Sequence, residues 1–241
     1  MLKEILGSLY NEDEIEANFQ LKTELAISSF TPKKEKPLFE IPKPTNKLND
    51  KLLKTYEDYH PYLEQRGITQ EVAKIYNIGF DKFNKQITFP IRDINKQCIG
   101  IGRRSILHKY YNYPPGMKKP LYGIYELPRF VRYLWIVEGP FNLWSLKVWG
   151  KDGVALLGTG TEQQYKQLLG IDCIGYVLAL DPDDAGRNGT LKLSNFLLQN
   201  KKYNINVALV PVGKDINDLT QEEFKSMQVA SIKEWKRLNG L

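Results

Sequence analysis

Between residues 133 and 210, four short apolar runs (133–137, 153–157, 174–180 and 205–210) are separated by stretches long enough to form helices. Runs this short and this uniformly apolar suit strands buried on both faces, and helical crossovers between them make those strands parallel. The expected fold class is therefore α/β, a mostly parallel sheet covered by helices. Parallel strands end at one edge, so whatever follows them converges there. Three of the runs lead into acids. Ile136-Val137 leads into Glu138-Gly139, Leu178-Ala179-Leu180 into Asp181-Pro182-Asp183-Asp184-Ala185-Gly186-Arg187, and Leu209-Val210-Pro211 towards Lys214-Asp215-Ile216-Asn217-Asp218.

Hard divalent cations take oxygen ligands, and two Asp at i and i+2 in a turn can aim both carboxylates at one site. Asp181 and Asp183 have that spacing. Each acid also has a plain alternative: an Asp ahead of a helix is a common N-cap, open to Asp184 before Ala185-Gly186, and a Glu before Gly at a strand end is often a solvated turn residue. The combination is harder to explain that way, since a Glu closing one strand and Asp-x-Asp closing another would meet at one sheet edge.

The formal net charge of +6 is unevenly spread, with eleven Lys and Arg against only Asp93 and Glu126 between Lys82 and Arg132. A basic block beside a mildly acidic remainder provides one face for a polyanion and another for cations. The block has strand patterns at 86–91 and 97–102, then an irregular Pro-, Tyr- and Lys-rich stretch at 109–125, and so reads as a small α+β subdomain. Arg92, Arg103, Arg104, Lys109, Lys118 and Lys119 could meet phosphates, and Tyr110, Tyr111 and Tyr113 could stack on unpaired bases. Four segments are expected: an N-terminal segment and linker at 1–50, acidic and helical at first and then Pro/Lys-rich; the basic subdomain at 51–131; the sheet domain at 132–220; and a helical tail at 221–241. Cys98 and Cys173 form no C-x-x-C pair, which excludes a zinc ribbon and a disulfide framework in this chain. No long apolar run or signal-peptide pattern occurs, so the expectation is a cytoplasmic protein with no membrane contact.

Glu138-Gly139 together with Asp181-Pro182-Asp183-Asp184-Ala185-Gly186-Arg187 resembles the TOPRIM domain shared by primases and topoisomerases, and Gly158-Thr159-Gly160-Thr161 matches the loop after that domain's second strand. Upstream, Tyr62-Leu63-Glu64-Gln65-Arg66-Gly67-Ile68, Ile78-Gly79-Phe80, Ile87-Thr88-Phe89-Pro90-Ile91-Arg92-Asp93 with Ile99-Gly100-Ile101-Gly102-Arg103-Arg104, and Lys109-Tyr110-Tyr111-Asn112-Tyr113-Pro114 leading to Leu121-Tyr122-Gly123-Ile124-Tyr125-Glu126 are similar to bacterial DnaG-type primases. They occur in the family's order. The resemblance spans residues 58 to about 220 and implies a Rossmann-like TOPRIM sheet preceded by a basic subdomain.

It also implies an activity: metal-dependent synthesis of short RNA primers on single-stranded DNA, in which a ribonucleotide 3′-hydroxyl attacks the α-phosphate of an incoming ribonucleoside triphosphate. Asp181 and Asp183 would hold Mg²⁺ or Mn²⁺, Asp215 would add a ligand, and Glu138 would be a further ligand or the proton acceptor. Arg92, Arg103, Arg104, Lys109, Tyr111, Lys119 and Arg187 would contact nucleic acid or nucleotide. A replicative helicase and a separate zinc-binding primase subunit are the implied partners, and the Lys-, Asn- and Ile-rich composition leans towards a phage or small replicon. Two departures stand out: Ile216-Asn217 where the family has Pro-Asp after the last acid, and Asn142 where an Asp commonly follows the Glu by four residues. The alternatives are a TOPRIM nuclease acting through the same acids and a catalytically weakened single-stranded-DNA-binding replication protein.

Overall fold

The structure is a computed structural model that describes Tyr56 and residues 58–241. The expected segment 1–50 lies outside the described residues. The described residues belong to one compact unit.

Its first layer starts with two short helices, α1 (Pro61–Gln65) and α2 (Gln70–Ile75). His60 and Thr69 cap them by accepting backbone N–H groups, and Pro61 supplies a fixed φ at the first position of α1. An antiparallel sheet follows in the order β1 (Gly79–Asp81), β2 (Gln86–Arg92), β3 (Cys98–Ser105) and β4 (Tyr111–Asn112). Pro90 sits within β2 without disrupting the sheet. The pairing with β1 runs only from Gln86 to Thr88, so at Pro90 the strand is locally an edge and no β1 partner loses a bond.

The second layer is a five-stranded sheet in the order β6-β5-β7-β8-β9. Strands β5 (Val131–Val137), β6 (Gly153–Ala155), β7 (Cys173–Leu178) and β8 (Ile205–Ala208) run parallel, as the apolar runs require, and β9 (Val229–Ser231) is antiparallel to β8. The crossover helices are α3 (Pro140–Val148), α4 (Glu162–Leu168) and α5 (Asp184–Gln199). Helices α6 (Gln221–Ser226) and α7 (Ile232–Leu238) flank β9.

Alternating side chains feed two cores, which is why the strands read as continuous apolar runs. Leu134, Ile136, Tyr176 and Leu178 pack with Tyr165 and Leu168 of α4, Leu193 and Leu197 of α5, and Trp235 of α7. Trp135, Val137, Val177 and Ala179 face the other way, onto Phe141 and Trp144 of α3 and Phe224 of α6.

Two features join the expected segments to one another. That second core continues through Leu63, Ile87 and Phe89, so the basic layer and the parallel sheet share one interior. The Phe89 and Trp144 rings lie 5.5 Å apart, and Trp144 Nε1 donates to Tyr122 Oη across 3.2 Å. The stretch 221–241 is not simply a helical tail, because its β9 is the last strand of the sheet. Three residues, of which only Ala230 is buried, are too few to show a strand period. Among the described residues, no helix is long and apolar enough to cross a membrane.

Candidate metal and nucleotide site

Glu138 follows the last residue of β5 directly, and Gly139 and Pro140 then start α3. Across the adjacent strand, Asp181 lies just past β7. Its backbone N–H donates to Glu138 Oε1 at 3.2 Å, so the first two acids meet as the parallel topology demands. Gly186, in the first turn of α5, makes this contact possible: a Cβ there would stand 1.9 Å from the Asp181 carbonyl oxygen and 2.9 Å from Glu138 Oε1. The Gly at the fifth position after Asp181 is therefore a steric requirement.

Burial and mutual repulsion perturb both carboxyls. Glu138 is pushed up to about 7, chiefly by burial and then by the charges of Asp181 and Asp183, against the hydrogen bond from Asp181. Asp181 is pushed up to about 6 by burial and by Asp215 and Asp183, with Lys109 and a hydrogen bond from Asn142 opposing. Two half-buried acids that resist ionisation side by side form a site whose charge a cation would relieve.

Asp183 and Asp215 are placed differently. Asp183 is exposed and serves as the N-cap of α5, with Oδ1 accepting from Gly186 N at 2.7 Å, so the capping role considered for Asp184 belongs to its neighbour. Asp215 is 8% exposed and fully engaged. Its Oδ1 accepts from Asp218 N at 3.1 Å and its Oδ2 accepts from Lys109 Nζ at 2.8 Å. Among the described residues, no three of Asp, Glu, His and Cys are arranged to hold a metal by themselves. The donor set fits Mg²⁺ nonetheless, because that ion commonly takes one or two carboxylates and fills its remaining positions with water and phosphate oxygens.

The expected basic and aromatic contacts divide in two. Lys109 and Lys119 reach the acidic edge. Lys109 pairs with Asp215, whose hydrogen bond holds its ammonium pKa up. Lys119 Nζ donates to Leu157 O at 2.7 Å, and the next residue of that loop, Gly158, donates its N–H to Glu138 O at 3.2 Å. Leu157 itself adopts a left-handed φ of 56°, so this turn is held by its surroundings rather than by its own preference.

The others are spent elsewhere. Arg104 is 5% exposed, its guanidinium stacked over Phe141 at 4.5 Å, Tyr62 at 5.4 Å and Tyr111 at 5.5 Å, and it donates to the Tyr62 hydroxyl. It joins the two layers and offers no phosphate contact. Tyr111 is half-buried and lies parallel to the Tyr113 ring at 6.2 Å, with Arg104 beside it, so it is not an open stacking platform. Arg103 projects from the opposite face of β3, where its charge helps hold Asp81 ionised against burial. Arg92 is at the far end of β2, about 17 Å along the strand from the position paired with Arg104. Its guanidinium bonds to Lys96 O and to Asn77 Oδ1, at 3.1 and 3.3 Å. Arg187 fastens its own turn, donating to Pro182 O at 3.0 Å and pairing with Asp184.

A polar network behind the acids was not legible as such in the sequence. Asn142 donates to Asp181 Oδ1 at 3.3 Å and accepts from Asn217 N at 3.1 Å. The Asn217 amide donates to Ser145 Oγ at 2.7 Å and to Arg66 O at 2.8 Å, while Arg66 pairs with Asp218 at 3.0 Å. The two amides noted as departures thus brace the acids from behind. The spacing of Asn142 from Glu138 was a usable signal, since it places the residue one turn into a helix beginning Gly-Pro; nothing local marks Arg66 or Ser145.

The fold and these acids define a class: residues 135–220 match the family model described as Toprim-like. Relatives that match include bacterial DNA primases. That of Buchnera aphidicola is 32% identical over 158 residues, covering 60% of this chain and 27% of its own length, and that of Aquifex aeolicus is 29% identical over 191 residues, covering 74% and 38%. A solved DnaG primase catalytic domain bound to single-stranded DNA matches with a TM-score of 0.63 at 23% identity, over 78% of this chain and 80% of that one. The described residues have the fold of a DnaG-type catalytic core. The chain spans less than two fifths of the length of these two curated relatives.

Proposed function

We propose that this chain is the polymerising core of a DNA primase, making short RNA primers on single-stranded DNA from ribonucleoside triphosphates. The observation that carries the reading is the Glu138–Asp181 pair at the carboxyl edge of the parallel sheet, with Lys109 and Lys119 beside it. Glu138 and Asp181, with Asp183 at the rim, would hold Mg²⁺ or Mn²⁺. Such an ion, when bound, neutralises charge on the transferring phosphate and lowers the pKa of the attacking hydroxyl.

The protein's own groups do the rest. Asn142 fixes the Asp181 carboxylate by its hydrogen bond, and the Asp181 N–H fixes Glu138. Glu138, poised near neutrality, can hold a proton as well as donate a lone pair. The ammonium groups of Lys109 and Lys119 suit the triphosphate, and the single-stranded DNA named for the DnaG structure supports the template assignment. A replicative helicase and a separate zinc-binding primase module complete the proposal, with the cytoplasm as the place of action.

The test incubates the whole chain with single-stranded DNA, labelled ribonucleotides and Mg²⁺ or Mn²⁺. Templated oligoribonucleotides are expected, and Glu138→Gln and Asp181→Asn should each abolish them while DNA binding survives. Shortened DNA or RNA would instead indicate a nuclease. Strand binding with neither reaction would indicate a scaffold, and full synthesis by Asp181→Asn would refute the site.

A further inference from the structure

The acids at this sheet edge do not share one fate, and Lys109 separates them. Among the described residues, Glu138 and Asp181 carry no ion pair, whereas each carboxylate of the Asp215–Asp218 turn has a cation of its own: Lys109 on Asp215 at 2.8 Å and Arg66 on Asp218 at 3.0 Å. Backbone donors complete the set, since Asp218 N–H bonds Asp215 Oδ1 and Asp215 N–H bonds Asp218 Oδ2, both at 3.1 Å. Every oxygen of the two side chains therefore has a partner. Asn217 stands between them where a third carboxylate would add charge, and its amide nitrogen is turned inward onto Ser145 and Arg66 O.

We infer that Lys109 is a built-in cation that occupies Asp215, so that the resting protein binds one divalent ion, at Glu138 and Asp181, and none through Asp215. A divalent ion at Asp215 would have to displace the ammonium or share a carboxylate with it at a few ångströms, where like charges repel strongly in a half-buried setting. Asp215 is nearly buried while the Lys109 side chain is 64% exposed. The lysine can thus leave without disturbing the core, while the carboxylate cannot turn away. Lys109 is then a positioning residue that sets metal stoichiometry. The inference rests on the proposed function only in taking the Glu138–Asp181 pair as a divalent-cation site.

The experiment counts Mn²⁺ by electron paramagnetic resonance in titrations of the whole chain without nucleotide, for wild type, Lys109→Met and Lys109→Arg. Wild type and Lys109→Arg should each bind one Mn²⁺. Lys109→Met should bind two, the second about tenfold or more tighter than any second ion on wild type. Two equally tight ions on wild type, or an unchanged count in Lys109→Met, would overturn the inference and leave the Glu138–Asp181 site standing. No bound Mn²⁺ on any of the three proteins would overturn both.

Discussion

Gly186 shows how tightly one position can be specified. Substituting Ala forces its Cβ against the Asp181 carbonyl, so the first turn of α5 must move away from β7. A backbone shift of this kind costs about 1 to 3 kcal/mol, and it separates Asp181 from Glu138. Gly186→Ala is therefore expected to lose the proposed primer synthesis and to lower the urea midpoint; wild-type behaviour in both assays would show that the contact is not needed. A second expectation concerns pH. Glu138 has a folded pKa of about 7, above its ordinary value of 4.5, and Asp181 about 6, above 3.8. A carboxyl whose pKa is raised by folding binds more protons folded than unfolded in between, so its contribution to stability falls as pH rises through that window. In EDTA, wild type should lose stability between pH 4.5 and 7 relative to Glu138→Gln. Mg²⁺ should restore it most at the alkaline end, where both acids are ionised. Parallel urea-midpoint profiles for the two proteins, with no response to Mg²⁺, would contradict this.

At the scale of elements, each acid is held where one unit hands over to the next: β5 to α3, β7 to α5, and β8 to the turn at Ile216–Asp218. A stretch that reads as an appendage covers the edge of this sheet beyond β8. Residues 221–241 supply β9 and bury Phe224, Ala230, Ile232 and Trp235, with the Phe224 ring 4.4 Å from that of Trp149 and 5.3 Å from that of Trp135. Losing one such aromatic typically costs about 3 to 5 kcal/mol, comparable to the whole stability of many domains. Deleting 221–241 should abolish the cooperative thermal transition followed by circular dichroism. A truncated chain melting within a few degrees of wild type would mean the stretch is dispensable.

Across the whole molecule, the basic layer and the parallel sheet meet around Arg104, which was expected at the nucleic-acid surface. Replacing it by Met keeps the volume but removes the cation from three ring faces and the hydrogen bond to Tyr62. Arg104→Met should destabilise the fold by about 1 to 3 kcal/mol while single-stranded DNA binding, measured by fluorescence anisotropy below the melting range, changes less than about twofold. Unchanged stability with lost DNA binding would reverse that assignment. Neighbouring residues explain why the sequence misled here: Arg103 and Arg104 are chemically alike, and strand alternation sends one outward and the other into the joint, but the identity of the inward face depends on what packs there. The parallel sheet and the meeting of Glu138 with Asp181 were legible because the length and apolarity of a buried strand, and the common direction of parallel strands, are local properties that fix where strand ends gather. Which lysines reach those acids, that Asp215 is taken by Lys109, and that Asn142, Asn217 and Arg66 brace the site depend on contacts between residues up to 152 positions apart. Only the packing of two layers around one core brings such residues together, because no local preference of the chain encodes who stands opposite whom.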